Sequence, residues 1–318
     1  MTKLTRKLLL SIITVVLTVV ALGTTTFAWF TLTNTSVVQP FEAEIVADSG
    51  IELAIGSHNT GLTNPTSLEW VTTLTTEAIQ DYIEANYGTS PIFNHVTTPN
   101  GIDFYTLGAT AITGTSSGYL EIPLNFRSDT AQTIEWTSVS MTSDSLPWTA
   151  DVSFIDASGT ARTAGDIFDI DASNAMRIAM LEVYGTGDHV VAYEKPSSTA
   201  NVVLGTGGDL RGTELDPDAT PASGDEYYPG ANGAMNYYYE KNNMLPFDAD
   251  AVTTISTVTS IAGVTVITME DVSGSTTDYQ ADYFGQVMIR IWLEGWDANA
   301  YNSILSRMIT TEFVFTGV

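Results

Sequence analysis

The 318-residue chain contains no cysteine. Disulfides, thiolate zinc sites and cysteine nucleophiles are therefore excluded. Basic residues are also scarce, because 11 Lys and Arg stand against 37 Asp and Glu and leave a formal charge of −26. Nucleic acid is a poor partner for such a chain, since phosphate binding needs clustered Lys and Arg to release counterions.

Motifs for catalysis are equally sparse. The three histidines, His58, His95 and His189, lie far apart, and none belongs to a His-Glu-x-x-His zinc motif. The Gly-x-Ser-x-Gly motif of serine hydrolases is absent. A glycosidase pair among the carboxylates would leave no mark in sequence spacing, because the two groups are set by their separation across a sugar. We expect a protein that is not an enzyme, and a secreted hydrolase remains an alternative.

The first 28 residues have the pattern of a secretory signal peptide. Lys3, Arg6 and Lys7 precede an apolar run over residues 8–22. Thr26 and Ala28 then fit the small-residue positions before a cleavage site, which predicts a mature chain that begins at Trp29. The alternative is an uncleaved anchor, since residues 8–32 are long enough to span a bilayer and would be the chain's only membrane contact. Either reading predicts a secreted or extracellular cell-surface protein.

The remaining chain has the composition of β-strands. Threonine, branched and aromatic residues are abundant, and apolar residues often recur with a period of two. In residues 287–294, for example, Val287, Ile289, Ile291 and Leu293 fall on one face. This pattern predicts strands over residues 41–47, 51–55, 119–126, 133–141, 152–155, 176–184, 190–194, 253–259, 264–270, 287–294 and 311–316.

Helical periodicity is confined to two places. Apolar residues recur at three and four positions over residues 76–87, with Thr75 or Thr76 as the cap. A shorter helix is predicted after Asp297, with Tyr301, Ile304 and Leu305 on one face. Many strands with few helices favour a mainly β fold, a jelly-roll-like sandwich over residues 41–318. Residues 204–246, rich in Gly, Asp and Tyr, are predicted to form an insertion on its surface.

Two sets of side chains in the body are candidates for binding. Paired acids suggest calcium as the only candidate cofactor, because hard cations accept carboxylates in many geometries. An EF-hand is excluded, since Asn174 and Met180 stand where it needs Gly and Glu. Turn-forming solvated acids are the alternative. The candidate calcium ligands are Asp169 and Asp171, Asp216 and Asp218, or Asp248 and Asp250.

Tyrosines of the insertion form the second set. Rigid aromatic side chains stack on sugars and are common in protein interfaces. They also pack in ordinary cores, which is the alternative for this set. The predicted binding surface for a glycan or a protein consists of Tyr227, Tyr228, Tyr237, Tyr238 and Tyr239.

A family resemblance is confined to the two ends of the chain. The sequence TTFAWFT at residues 25–31, followed by the strand FEAEIV at 41–46, resembles the SipW-type signal region of the TasA/camelysin group of Gram-positive exported proteins. The ending IRIWLEGWD at 289–297, with FVF at 313–315, is similar to the endings of other proteins with such signals. The resemblance implies trimming by a dedicated signal peptidase and a mature protein in biofilm fibres or on the cell surface. The metalloprotease activity assigned to camelysins is not carried over, because the chain has no zinc motif.

The segment after the cleavage site predicts a route to assembly. Residues 29–40 are uncharged and rich in Thr, and such a segment can add as a strand to the edge of a neighbouring sandwich. Head-to-tail addition that does not close gives a filament. A stalk, or a strand that pairs within its own subunit, is the alternative. The donor residues would be Trp29, Phe30, Leu32, Val37 and Val38.

These expectations combine into one function with two rivals. The sequence favours an exported structural subunit of an extracellular fibre, a biofilm matrix or a cell-surface layer. Its partners would be further copies of itself and, during export, a signal peptidase. The first rival is a cell-surface adhesin that binds a glycan or a protein, and the second is the secreted hydrolase.

Overall fold

The computed structural model describes residues 36–37, 42–48, 50–57, 65–89, 91–107, 112–196, 233–242, 255–295, 297–301 and 308–318. This part of the chain is mainly β, as predicted. It contains the helices α1 (Thr76–Tyr87) and α2 (Ala234–Asn242) and short 3-10 turns at Pro65–Ser67 and Ala172–Ala175. The strands are β1 (Ser36–Val37), β2 (Glu42–Asp48), β3 (Ile51–Ile55), β4 (Thr73–Leu74), β5 (Ile92–Phe93), β6 (His95–Thr97), β7 (Phe104–Leu107), β8 (Ile112–Thr115), β9 (Leu120–Ser128), β10 (Thr133–Ser143), β11 (Leu146–Thr149), β12 (Phe154–Ile155), β13 (Ala161–Arg162), β14 (Ile167–Ile170), β15 (Met176–Tyr184), β16 (Val190–Glu194), β17 (Val264–Thr268), β18 (Glu270–Asp271), β19 (Tyr283–Glu294) and β20 (Ile309–Gly317).

Eight of these strands form a jelly-roll sandwich. Sheet 1 has the order β2-β20-β10-β17, and sheet 2 has the order β9-β19-β15-β16. Numbered along the chain, these strands give 1-8-3-6 over 2-7-4-5, which is the jelly-roll order, so the predicted fold is confirmed. Among these eight strands, one pair departs from the antiparallel rule, because β2 runs parallel to β20 from Glu42 beside Thr310 to Asp48 beside Thr316.

The core lies between the two sheets. Alternate residues of each strand point inward, so that the period of two becomes a buried face. Phe126 of sheet 2 meets Phe315 of sheet 1 edge to face, with ring centroids 5.2 Å apart. Trp136 of sheet 1 likewise contacts Tyr193 of sheet 2 at 6.0 Å. Three of these four rings are completely buried and Tyr193 is nearly so, and the sheets are held together mainly by such apolar contacts.

A short stretch of chain closes one side of the sandwich. Thr73 and Leu74 in β4 pair with β2 of sheet 1. Two residues earlier, Val71 exchanges both backbone hydrogen bonds with Leu53 of β3, the edge strand beside β9. The edges of both sheets are thereby paired on this side, which removes two templates for unwanted strand addition.

Helix α1 follows this stretch and has the predicted bounds. The Thr75 hydroxyl accepts a hydrogen bond from the Ala78 amide and caps its first turn. Ile79 and Ile83, one turn apart, are the buried residues of the helix and pack against the main core. Its end is fixed to sheet 2, because the Tyr87 hydroxyl donates to the Glu121 carbonyl and accepts from the Glu121 amide.

Two predictions about elements are wrong within the described residues, and a third is tested only at its start. Residues 255–259 are not a strand and make one parallel bridge, between Val258 and Tyr193. Residues 297–301, at the start of the helix predicted after Asp297, form turns, whereas Ile304 and Leu305 of that helix lie outside the described residues. Part of the 204–246 insertion is helix α2, packed on the core rather than spread over the surface.

The helices of the described ranges are short. None of them is long and apolar enough to cross a membrane.

Candidate functional site

The N-terminal segment enters the described structure only at β1. Ser36 and Val37 pair antiparallel with Phe93 and Ile92 of the same chain. Phe93 is completely buried in the core, whereas Ile92 is 52% exposed, so the partner strand β5 is anchored on one face and open on the other. This pairing within the subunit is the alternative predicted from the sequence for this segment, and it identifies β5 as a strand to which the N-terminal segment adds. The other predicted residues of this segment lie outside the described ranges, namely Thr26, Ala28, Trp29, Phe30, Leu32 and Val38.

The acids Asp169 and Asp171, predicted as calcium ligands, lie at one pocket of about 180 Å³. Asn174, Asn299 and Tyr301 also line it. Asp169 is exposed, but Asp171 is already engaged, because its Oδ2 pairs with the Lys195 ammonium and its Oδ1 accepts from hydroxyls of Ser143 and Ser173. No group of three or more metal-ligating side chains occurs within the described ranges. The remaining candidates, Asp216, Asp218, Asp248 and Asp250, lie outside those ranges.

Burial by itself raises the pKa of Asp171. The hydrogen bonds from Lys195, Ser143 and Ser173 outweigh burial and bring the net pKa below the ordinary value. The carboxylate is therefore held ionised as the cap of the Ala172–Ala175 turn. Its present partners give it a structural role.

The surface predicted from the tyrosines is wrong for Tyr237 and Tyr238, which are buried on helix α2. Tyr237 packs against Trp148 and Phe154, with ring centroids 5.6 Å and 5.3 Å away. Its hydroxyl donates to Asp151, which also pairs with Lys241. These rings form a core extension, which is the packing alternative. Tyr227 and Tyr228 lie outside the described residues, as does the side chain of Tyr239.

Every basic side chain in the described ranges is paired with a carboxylate. Five of the ion pairs have a closest N–O distance of 2.6 Å. The sixth joins Lys195 to Asp171. Because each positive charge has an acidic partner within the same subunit, the described surface offers its surplus carboxylates with no free cation beside them. The other five pairs are Arg127–Glu52, Arg162–Asp156, Arg177–Asp297, Lys241–Asp151 and Arg290–Glu121.

One of these pairs is buried and joins several elements. The Arg177 guanidinium on β15 contacts Asp297 at 2.6 Å and Glu194 on β16 at 2.9 Å. The Arg177 side chain is 3% exposed and that of Asp297 is fully buried. Glu294 lies in the same neighbourhood and accepts a hydrogen bond from the Trp292 indole. Burial raises the pKa of Asp297, and the charge of Arg177 opposes that rise.

The contacts of the histidines do not test the prediction that none of them is catalytic. His189 lies 2.5 Å from the buried Glu182 carboxylate and helps to close the hairpin between β15 and β16. His95 is buried in β6, and His58 lies outside the described residues.

A larger cleft, of about 460 Å³, lies between β2 and β3 and includes Glu52, Arg127 and Gln280 among its lining residues. None of these residues belongs to a motif or to a predicted site. Glu52 and Arg127 are 75 residues apart and meet only through the pairing of β3 with β9. Nothing in the local sequence gives a signal for this contact.

Comparisons with protein-family models, with curated proteins and with solved structures each give no match.

Proposed function

We propose that this chain is an exported structural subunit of an extracellular fibre, a biofilm matrix or a cell-surface layer, and that subunits join by β-strand addition. The observation that carries the proposal is the pairing of Ser36 and Val37 with β5. Residues 29–40 follow the predicted signal peptide directly, so this contact is made by the segment that export would release. It gives the N-terminal segment a defined acceptor on the sandwich.

A pairing that a chain makes with its own terminal segment can also be made by the same segment of a neighbour. Such an exchange keeps every backbone hydrogen bond and needs only that the connection swings outward. Here β1 is linked to the sandwich through residues 38–41, directly before β2. Repeated in one direction, the exchange gives an open chain of subunits. Pairing within one subunit (cis) is then the closed, monomeric form of the contact that neighbouring subunits make between them (trans).

The absence of native cysteine allows a direct test of cis against trans pairing. Val37 and Ile92 are direct partners across the two strands, so cysteines at both positions are suited to a disulfide. A chain carrying Val37→Cys is mixed with a chain carrying Ile92→Cys and oxidised. If the segment is exchanged, disulfide-linked dimers form in the mixture. The matched control replaces Ile92→Cys by Ile102→Cys, which is similarly exposed, at 55% against 52%, and belongs to no strand.

Electron microscopy of the chain that begins at Trp29 completes the test. We expect regular filaments from this chain and none from a chain that lacks residues 29–40. A third chain carries both Val37→Cys and Ile92→Cys and reports pairing within one subunit. Filaments that persist after the deletion, or disulfides that form only within this double variant and not in the mixture, would rule out exchange of this strand.

A further inference from the structure

The cleft of about 460 Å³ lies where the two sheets approach each other beside β3. Its volume falls within the range of about 300–1,000 Å³ that is usual for small-molecule sites. Ala47 and Thr72 line it from the side of sheet 1, and Glu52 and Arg127 line it from sheet 2. A neighbouring pocket of about 300 Å³ shares Asp129 and Gln280 with it. The two pockets together offer an extended polar surface.

Gln280 has a backbone conformation that suggests a function for this cleft. Its φ angle is +56°, and among the described residues it is the only non-glycine with a positive φ. A side chain makes this region unfavourable, and residues held in it concentrate at binding and catalytic sites. The conformation places the Gln280 Oε1 3.2 Å from Arg127 Nη1, from which it accepts a hydrogen bond.

Arg127 is held rigidly in the wall of the cleft. Its guanidinium lies 4.5 Å from the centre of the Trp70 ring. Its Nε and Nη2 each lie 2.6 Å from the Glu52 Oε2. Of the five N–H groups of a guanidinium, these contacts and the bond to Gln280 use three. The remaining N–H groups are oriented in advance, which lowers the entropy lost when they bind a ligand.

The charges around the cleft restrict the class of ligand. Glu52 neutralises the Arg127 guanidinium, and the carboxylate of Asp129 leaves one surplus negative charge, which repels an anion. Asp129 is exposed, and its carboxylate has no partner among the described residues. Free acceptors on Asp129 and Thr72 therefore lie beside free donors on Arg127 and on the Gln280 amide. A ligand whose groups both donate and accept while carrying no charge satisfies this mixture, and sugar hydroxyls do so.

We propose that this cleft binds a neutral saccharide, held by Arg127, Asp129 and Gln280. The site is separate from β1 and β5 and does not depend on strand exchange. On a surface or matrix protein it would attach the assembled subunits to polysaccharide. This differs from the glycan surface predicted from the tyrosines, of which Tyr237 and Tyr238 are buried.

The test is calorimetric titration of the chain beginning at Trp29 with four uncharged disaccharides: maltose, cellobiose, lactose and N,N′-diacetylchitobiose. We expect saturable binding of at least one. With that sugar, Asp129→Ala and Gln280→Gly should each bind about tenfold more weakly, since each removes hydrogen bonds to the ligand. Asp188→Ala removes another exposed acid without a described partner, in the β15–β16 hairpin, and should bind as the unmodified chain does.

Gln280→Gly separates binding from folding. Glycine adopts a positive φ without steric strain, and relief of this strain should offset the lost hydrogen bond to Arg127 and the larger entropy of the unfolded chain, so the thermal unfolding midpoint of this variant should stay close to that of the unmodified chain. Weakened binding in a variant of undiminished stability would support the site. Absence of saturable binding for all four sugars at millimolar concentration would overturn the proposal, as would binding that survives both Asp129→Ala and Gln280→Gly.

Discussion

Gly233 shows how one residue fixes the start of helix α2. Its φ is +75°, and a Cβ added there would lie 2.0 Å from the Ala298 carbonyl oxygen. Gly233→Ala should therefore lower the free energy of unfolding by about 3 kcal/mol, measured by urea denaturation. Gly50 has the same φ, but its nearest atom would lie at 3.7 Å, so Gly50→Ala should cost only about 1 kcal/mol. If the two variants lost the same free energy of unfolding, the close approach to Ala298 would not be a cause of the loss at Gly233.

Asp171 should make the protein sensitive to acid. Because its folded pKa is lowered, its contribution to stability is fully present above its unfolded pKa of about 4 and is lost as the pH falls through the folded value. We expect Asp171→Asn to lower the free energy of unfolding by about 1–2 kcal/mol at pH 7 and by progressively less toward pH 2. Exposed Asp169, two residues away, provides the control, and Asp169→Asn should change stability by less than about 0.5 kcal/mol.

Strands and helices differ in how well the sequence predicts them. Long strands with one buried face, such as β10 and β20, are predictable because their period of two continues over many residues. Strands of two to four residues, such as β5 and β11, are too short to show a period. Helix α2 was missed because its burial depends on Trp148 and Phe154, which are distant in sequence. Residues 253–259 have the composition of a strand, yet the described residues 255–259 form only one bridge.

Arg177 joins β15, β16 and the loop after β19, and its removal should loosen all three. Arg177→Met leaves the Asp297 carboxylate buried without its cation, which should cost about 3–5 kcal/mol near pH 7. The pKa of Asp297 is already raised by burial, so this cost should shrink as the pH falls and Asp297 becomes protonated. Adding Asp297→Asn to Arg177→Met should recover part of the loss in urea denaturation. A cost independent of pH would indicate lost packing rather than an unpaired charge.

The arrangement of the whole sandwich depends on contacts that sequence patterns do not encode. The jelly-roll class follows from the many alternating strands, but the parallel pairing of β2 with β20 brings together the two ends of the domain. The candidate sites are similar in this respect. Asp169 and Asp171 were found because they are close in sequence. The contact between Glu52 and Arg127 and the positive φ of Gln280 arise only after the strands have paired.

Charge should control assembly of the whole molecule. Loss of residues 1–28 would remove three of the 11 basic residues and leave eight against 37 acids, a charge of −29. Since all six described cations are paired within the subunit, neighbouring subunits repel each other over a screening length of about 10 Å at 0.1 M salt. Light scattering should therefore detect faster assembly at 300 mM than at 20 mM NaCl, by about tenfold or more.

Calcium distinguishes general screening of the repulsion between subunits from binding of the ion at a specific site. At matched ionic strength, NaCl, MgCl2 and CaCl2 should accelerate assembly about equally if screened repulsion alone limits it. A response to Ca²⁺ at micromolar concentration that Mg²⁺ does not reproduce would instead favour the predicted calcium ligands, because the two ions differ in size and coordination. Asp216→Asn/Asp218→Asn would then test the second predicted pair against the occupied Asp171. Assembly that slows as NaCl rises would contradict repulsion as the barrier and indicate attractive ion pairs between subunits.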